Sequence, residues 1–130
     1  MEHIKEEILI LGNITNDDQF NTMTRSIESF YDKMTPFYLK IETQMVRKIK
    51  WNYLYKFGNY LNTLKQKSPQ YLRGTTIHVY DDLNFNLLYT LFTYISSPIA
   101  KVSVFYFEGG YTPTNTSREI KKIKNYYPRE

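Results

Sequence analysis

Few residues in this chain are equipped for acid–base, nucleophilic or metal chemistry. There are two histidines, His3 and His78, and no cysteine. The most suggestive acidic residues are the adjacent pair Asp81-Asp82. His78 alternates with Ile77 and Val79 in Thr75-Thr76-Ile77-His78-Val79-Tyr80, a β-branched run that predicts a strand. In a fold, Ser97 or Ser103 can approach it with Asp81 or Asp82 beyond, the ingredients of a Ser-His-Asp site, which is defined by geometry rather than spacing. The plainer assignment is a hydrogen-bonded or edge histidine. Asp81-Asp82 follows the carboxyl end of that strand, where open parallel sheets bind ligands, and paired carboxylates offer oxygen ligands to Mg²⁺. No third acidic residue is close in sequence, and capping the next helix accounts for both.

No G-x-x-x-x-G-K-[ST], G-x-G-x-x-G, H-E-x-x-H or G-x-S-x-G pattern occurs, and five glycines leave little material for a phosphate-cradling loop. The sequence therefore points to no catalytic residue, no metal site and no cofactor, and to a protein that is not an enzyme. Without cysteine, a disulfide framework, thiolate metal sites and thiol nucleophiles are excluded.

Aromatic side chains carry the binding candidates. The chain has 13 Tyr, 8 Phe and 1 Trp. Trp51, Tyr53, Tyr55 and Tyr60 fall outside the apolar stripe of a helix expected over about residues 50–66, with Lys56 beside them. Exposed Trp and Tyr are favoured in protein interfaces, so these five residues mark a docking face for a protein partner or a second copy. Arg118, Lys121, Lys122 and Lys124 adjoin Tyr126 and Tyr127 near the C-terminus. Basic charge with stackable rings can hold single-stranded nucleic acid. Such a segment is equally suited to folding onto a partner or remaining a solvated tail.

The charge balance separates body from tail. Residues 1–108 hold 12 Lys/Arg against 11 Asp/Glu, whereas residues 109–130 hold 5 Lys/Arg against 2 Glu. A nearly neutral body argues against a dedicated nucleic-acid surface, which needs a stripe of phosphate-neutralising charge. The N-terminus is too acidic and mixed for a secretion signal, and the Leu83 to Ala100 stretch carries Asn84, Asn86, Ser96, Ser97 and Pro98. These features predict a cytoplasmic protein that does not enter a membrane. The abundance of Asn, Lys, Tyr and Ile suits an AT-rich genome, such as that of a virus or a low-GC bacterium.

Positioning these residues requires a regular scaffold. Ile8-Leu9-Ile10-Leu11, ended by Gly12-Asn13, predicts a buried strand and turn. Thr15, Asn16 or Asp17 caps a helix whose Phe20, Met23, Ile27, Phe30 and Met34 form one apolar stripe, stopped by Thr35-Pro36. Phe37 to Glu42 alternates as a strand, and Met45, Val46 and Ile49 form a connector. A second helix carries Leu54, Phe57, Leu61 and Leu64. After the strand around His78, a third helix presents Leu87, Leu88, Leu91, Phe92 and Ile95, and Lys101 to Phe107 is a fourth strand, broken by Gly109-Gly110. At roughly 100–200 residues per domain, this is one α/β domain over residues 1–108 with a basic tail over 109–130, extended or helical around 118–124, or disordered on its own. Long β-to-β connections imply a four-stranded, mostly parallel sheet in β-α-β-α-β-α-β order. Its expected core contains Ile8, Ile10, Phe20, Ile27, Leu39, Ile41, Leu54, Leu61, Ile77, Val79, Leu88, Leu91, Val102 and Val104.

This order, with Phe37–Glu42 leading into a Val46-x-x-Ile49 connector and then a helix, resembles the STAS family of anti-sigma-factor antagonists. The resemblance covers residues 6–108 and is topological. It implies a binding module that docks a partner along the helix after the connector. At the position of that family's phosphorylatable loop the chain has Lys50-Trp51-Asn52-Tyr53, so no classical phospho-switch is implied. Leu11-Gly12-Asn13-Ile14-Thr15 with the following helix and strand also resembles the start of the Clp protease proteolytic subunit. There the oxyanion loop needs a glycine pair, and Glu42-Thr43-Gln44-Met45 supplies none. That resemblance implies a degenerate hydrolase-like fold without activity.

Overall fold

A computed structural model describes residues 3–108 and 119–129. Five strands and three helices alternate as β1 (Lys5–Ile10), α1 (Asp17–Tyr31), β2 (Phe37–Glu42), α2 (Trp51–Lys65), β3 (Leu72–Val79), α3 (Asp82–Thr90), β4 (Val102–Phe107) and β5 (Ile120–Tyr126). A π-helical turn, Leu91–Ile95, extends α3. The class is α/β, as the sequence implies, but the sheet has five strands rather than four. Residues 120–126, assigned from the sequence to the tail, form β5 and pair antiparallel with β4.

The caps follow local chemistry. Asn16 accepts a hydrogen bond from the Gln19 backbone N–H (2.9 Å), while Gln19 reaches back to the Thr15 N–H (2.7 Å). Asp81 caps α3 by accepting from the Asn84 N–H (2.8 Å). The connector before α2 is tied down by a parallel bridge between Ile14 and Ile49, and Asn13 Oδ1 accepts from the Arg47 and Lys48 N–H groups.

The strands lie in the sheet in chain order, β1-β2-β3-β4-β5, with the first four parallel. Each crossover therefore steps one strand in the same direction. Right-handed crossovers that all step the same way place every helix on one face. Burial agrees: Leu9, Phe37, Leu39, Ile41, Leu72, Ile77, Val79, Val102 and Val104 point into one core with Met23, Ile27, Leu54, Leu61, Leu64 and Leu91 from the helical layer. An apolar void of about 100 Å³ remains between the layers.

This arrangement corrects part of the expected core. Ile8 and Ile10 lie on the uncovered face, 57% and 62% exposed, and Leu9 takes the inward position. A one-residue phase difference sends a strand's side chains to the other face. Phe20 and Leu88 are half-buried at the rim of the core. Glu7 is the inward neighbour of Leu9 on β1; it is buried, and Lys33 Nζ reaches both its oxygens (2.8 and 3.0 Å). That hydrogen bond holds the Glu7 carboxyl below the usual carboxylate range against the opposing effect of burial.

Gly58 is buried where α2 meets the π-helical turn, and a Cβ there would stand 2.5 Å from Ile95 Cγ2. Alanine ordinarily favours an exposed helix interior by about 1 kcal/mol over glycine. At this contact overpacking costs about 1–3 kcal/mol. Gly58→Ala is expected to lower stability, read as a lower urea midpoint at an unchanged m-value; a raised midpoint would mean that the two segments do not approach this closely.

Candidate functional site

Three of the five aromatic and basic candidates of α2 lie outward. Trp51 and Tyr55 are one helical turn apart and each 57% exposed. Lys56 Nζ pairs with Asp17 (3.2 Å) and lies 5.0 Å from the Tyr53 ring. Tyr53 itself is buried, with its hydroxyl donating to Asp17 Oδ1 (2.8 Å) and its ring against Phe20. Tyr60 is half-buried and donates to Glu28 Oε1 (3.0 Å). Tyr53 and Tyr60 thus clamp α2 to α1 rather than facing solvent. Their hydroxyls are held protonated: the Asp17 hydrogen bond raises Tyr53, and burial raises Tyr60.

The basic C-terminal set is also divided. Arg118 lies outside the described residues. Lys121, Lys122 and Lys124 are exposed on the outermost strand, β5. Lys122 Nζ sits 4.8 Å from the Phe85 ring, and Lys121 Nζ 4.9 Å from the Tyr106 ring. Tyr126 is buried against Phe92, ring centroids 5.2 Å apart, and burial pushes its hydroxyl up to about 12. Tyr127 is exposed. A lysine-rich edge strand resists pairing with other strands, and a buried Tyr126 ring is closed to stacking on a base.

The more extensive surface is the uncovered face of the sheet. The strand register places its side chains in rows. Ile8, Lys40, Thr76, Ser103 and Asn125 form one row, and Ile10, Glu42, His78, Phe105 and Ile123 form the next. Tyr38 lies below them over Gly74, where a Cβ would meet its ring at 3.2 Å. Above them Tyr80 stacks on Phe107.

At the centre of this face His78 Nδ1 lies 3.4 Å from Glu42 Oε2. The imidazole packs edge-on against Phe105 and Phe107 (5.8 and 5.0 Å). Burial in this frame pushes the imidazole below the ordinary histidine range, and Glu42 pulls it partly back. The other oxygen, Glu42 Oε1, is buried and accepts no hydrogen bond among the described residues. The serine and aspartate candidates for a triad are placed elsewhere. Ser97 Oγ accepts from Lys65 (3.0 Å), and Ser103 lies beside Thr76, one row from His78. Asp81 caps α3, and Asp82 accepts from the Tyr106 hydroxyl (2.7 Å).

Comparison with family models, with curated proteins and with solved structures finds no match to this chain. The site therefore rests on its own geometry. Sequence reasoning missed Tyr38, Lys40, Glu42, Phe105, Phe107 and Ile123 as a surface. The signal lies in the alternation of 37–42, whose outward set is Tyr38, Lys40 and Glu42, and in that of β4, whose outward set is Ser103, Phe105 and Phe107. No helix among the described residues is long and apolar enough to cross a membrane.

The lowered His78 pKa has a thermodynamic consequence. A base whose folded pKa lies below its unfolded one leaves the unfolded state binding more protons. Stability contributed by neutral His78 is present in full above the ordinary histidine value, about 6.5, and is lost as pH falls from there through the lowered folded value. His78→Gln is expected to flatten the decline in urea midpoint between pH 7 and pH 5; an unchanged slope would show that the imidazole is not desolvated.

Proposed function

We propose that the chain is a non-catalytic protein-interaction module of STAS-like layout that docks a partner protein or a second copy of itself. The observation that carries this reading is the uncovered sheet face. Single exposed apolar residues are ordinary on protein surfaces, whereas clusters of them mark interaction sites. Here Ile8, Ile10 and Tyr38 lie toward the β1 edge of the face and Phe105, Phe107 and Ile123 toward the β5 edge, with Lys40, Glu42, Thr76 and His78 between them. The outward pair Trp51 and Tyr55 on α2 supports a second docking position beside it. The order of strands, helices and connector through β4 supports the STAS-like layout. A cytoplasmic location belongs to the same reading, resting on the cysteine-free sequence.

The alternatives fare less well on this geometry. Catalysis by His78 needs a nucleophile or substrate-polarising group beside it, and its charged partner is a carboxylate. Nucleic-acid binding through the C-terminal segment loses one of its two stacking rings to the core, at Tyr126.

A photo-crosslinking amino acid placed singly at Tyr38, Tyr55 or Lys121 in cells tests the reading. Protein crosslinks from position 38 or 55, reduced at least tenfold from position 38 by Ile10→Asp, are expected. Nuclease-sensitive crosslinks from position 121 alone would overturn it.

A further inference from the structure

We propose that the uncovered sheet face binds a second copy of this chain, face to face, across a two-fold axis perpendicular to the strands. This deepens the interaction-module reading and rests on it. Lys40 and Glu42 are two residues apart on the same face of β2, and their rows run across the whole sheet. A two-fold axis between those rows reverses strand direction and keeps each strand over its own copy. It sets Lys40 of each chain opposite Glu42 of the other, twice. The same operation sets Ile8 opposite Ile10 on β1 and Asn125 opposite Ile123 on β5. A C2 interface needs such a self-complementary patch.

Charge and area favour this occupant. The two rows carry one lysine, one glutamate and one histidine whose charge is suppressed by burial, so the face is nearly neutral on a chain of net charge +4. A polyanion would find no basic stripe there. Five strands at about 4.8 Å spacing and six residues at about 3.3 Å rise make a face of about 24 by 20 Å. Two such faces packed about 10 Å apart bury on the order of 1,000 Å², the lower end of specific interfaces. Association in the micromolar range is expected, not a permanent dimer.

Sedimentation equilibrium of the full chain from about 1 to 300 µM decides it. A monomer at the low end passing to a dimer at the high end is expected. Lys40→Glu and Glu42→Lys each weaken the dimer at least tenfold, because each places like charges opposite one another twice. The double variant K40E/E42K restores it, since the reciprocal pairs persist with signs exchanged. Ile10→Asp abolishes it. Circular dichroism confirms folding of each variant; were Ile10→Asp to unfold, the charge exchange still decides.

A monomer over the whole range, a dimer indifferent to Lys40→Glu and Ile10→Asp, or a charge exchange without restoration would each overturn the proposal. A monomer whose position-38 crosslinks go to a different protein overturns the self-partner alone. A monomer without protein crosslinks from positions 38 and 55 overturns the module reading as well.

Discussion

Each parallel crossover in this chain carries the backbone one strand further in the same direction, from β1 to β4. The right-handed sense of such crossovers leaves one face on which helices can pack. Everything else follows from that constraint. α1, α2 and α3 share a single layer, so they must fasten to one another as well as to the sheet. The sheet buries one side of each strand and offers the other to solvent. Parallel sheets are ordinarily covered on both faces; here the described residues place no second layer over the outer face, whose rows mix Ile8, Ile10, Phe105 and Ile123 with Lys40, Glu42, Thr76 and His78.

The fastening within the helical layer is chiefly aromatic and ionic. Tyr53 and Tyr60 on α2 donate hydroxyl hydrogen bonds to Asp17 and Glu28 on α1, and Lys56 and Lys67 pair with the same two carboxylates. Exposed ion pairs alone contribute little. Here they surround rings that bury apolar area, so the polar contacts fix orientation while the rings supply the stabilisation. Gly58 lets the π-helical turn approach α2, and Lys65 closes that contact by donating to Ser96 and Ser97. The Glu7–Lys33 pair does the equivalent for the β1 edge.

Most of the fold was legible in the sequence because its periodicities are local. The spacing of Phe20, Met23, Ile27 and Phe30 and the alternation of 37–42 mark α1 and β2 without tertiary information, whereas Met34, expected in the same stripe, lies past the end of α1 and is 70% exposed. Asn16 and Asp81 cap as their types suggest. What was not legible depends on strand order, which no local pattern encodes. Ile8 and Ile10 sit in an apolar run that reads as buried on both faces, and only the one-sided layer sends them outward. Ile120 and Ile123 are too few to announce a strand; β5 forms because β4 presents an open edge for it to pair with. Of the candidate interface on α2, Trp51 and Tyr55 were correctly read as outward. Tyr53 and Tyr60 were not, because their partners lie 36 and 32 residues away on α1.

The two sheet edges and the uncovered face are thus differently protected. β5 carries Lys121, Lys122 and Lys124, a guard against further strand pairing, whereas the face between the edges has no comparable screen of charge. The central claim, that the sheet is layered on one side only, is tested most directly by single-cysteine labelling in a chain with no native cysteine. Cysteines at Ile10, Thr76 and Asn125 are compared with cysteines at Leu9, Ile77 and Val104, in dilute protein. Rapid thiol modification at the first three and protection limited by unfolding at the second three are expected. Equal protection of both sets would show a second covering layer and would contradict it.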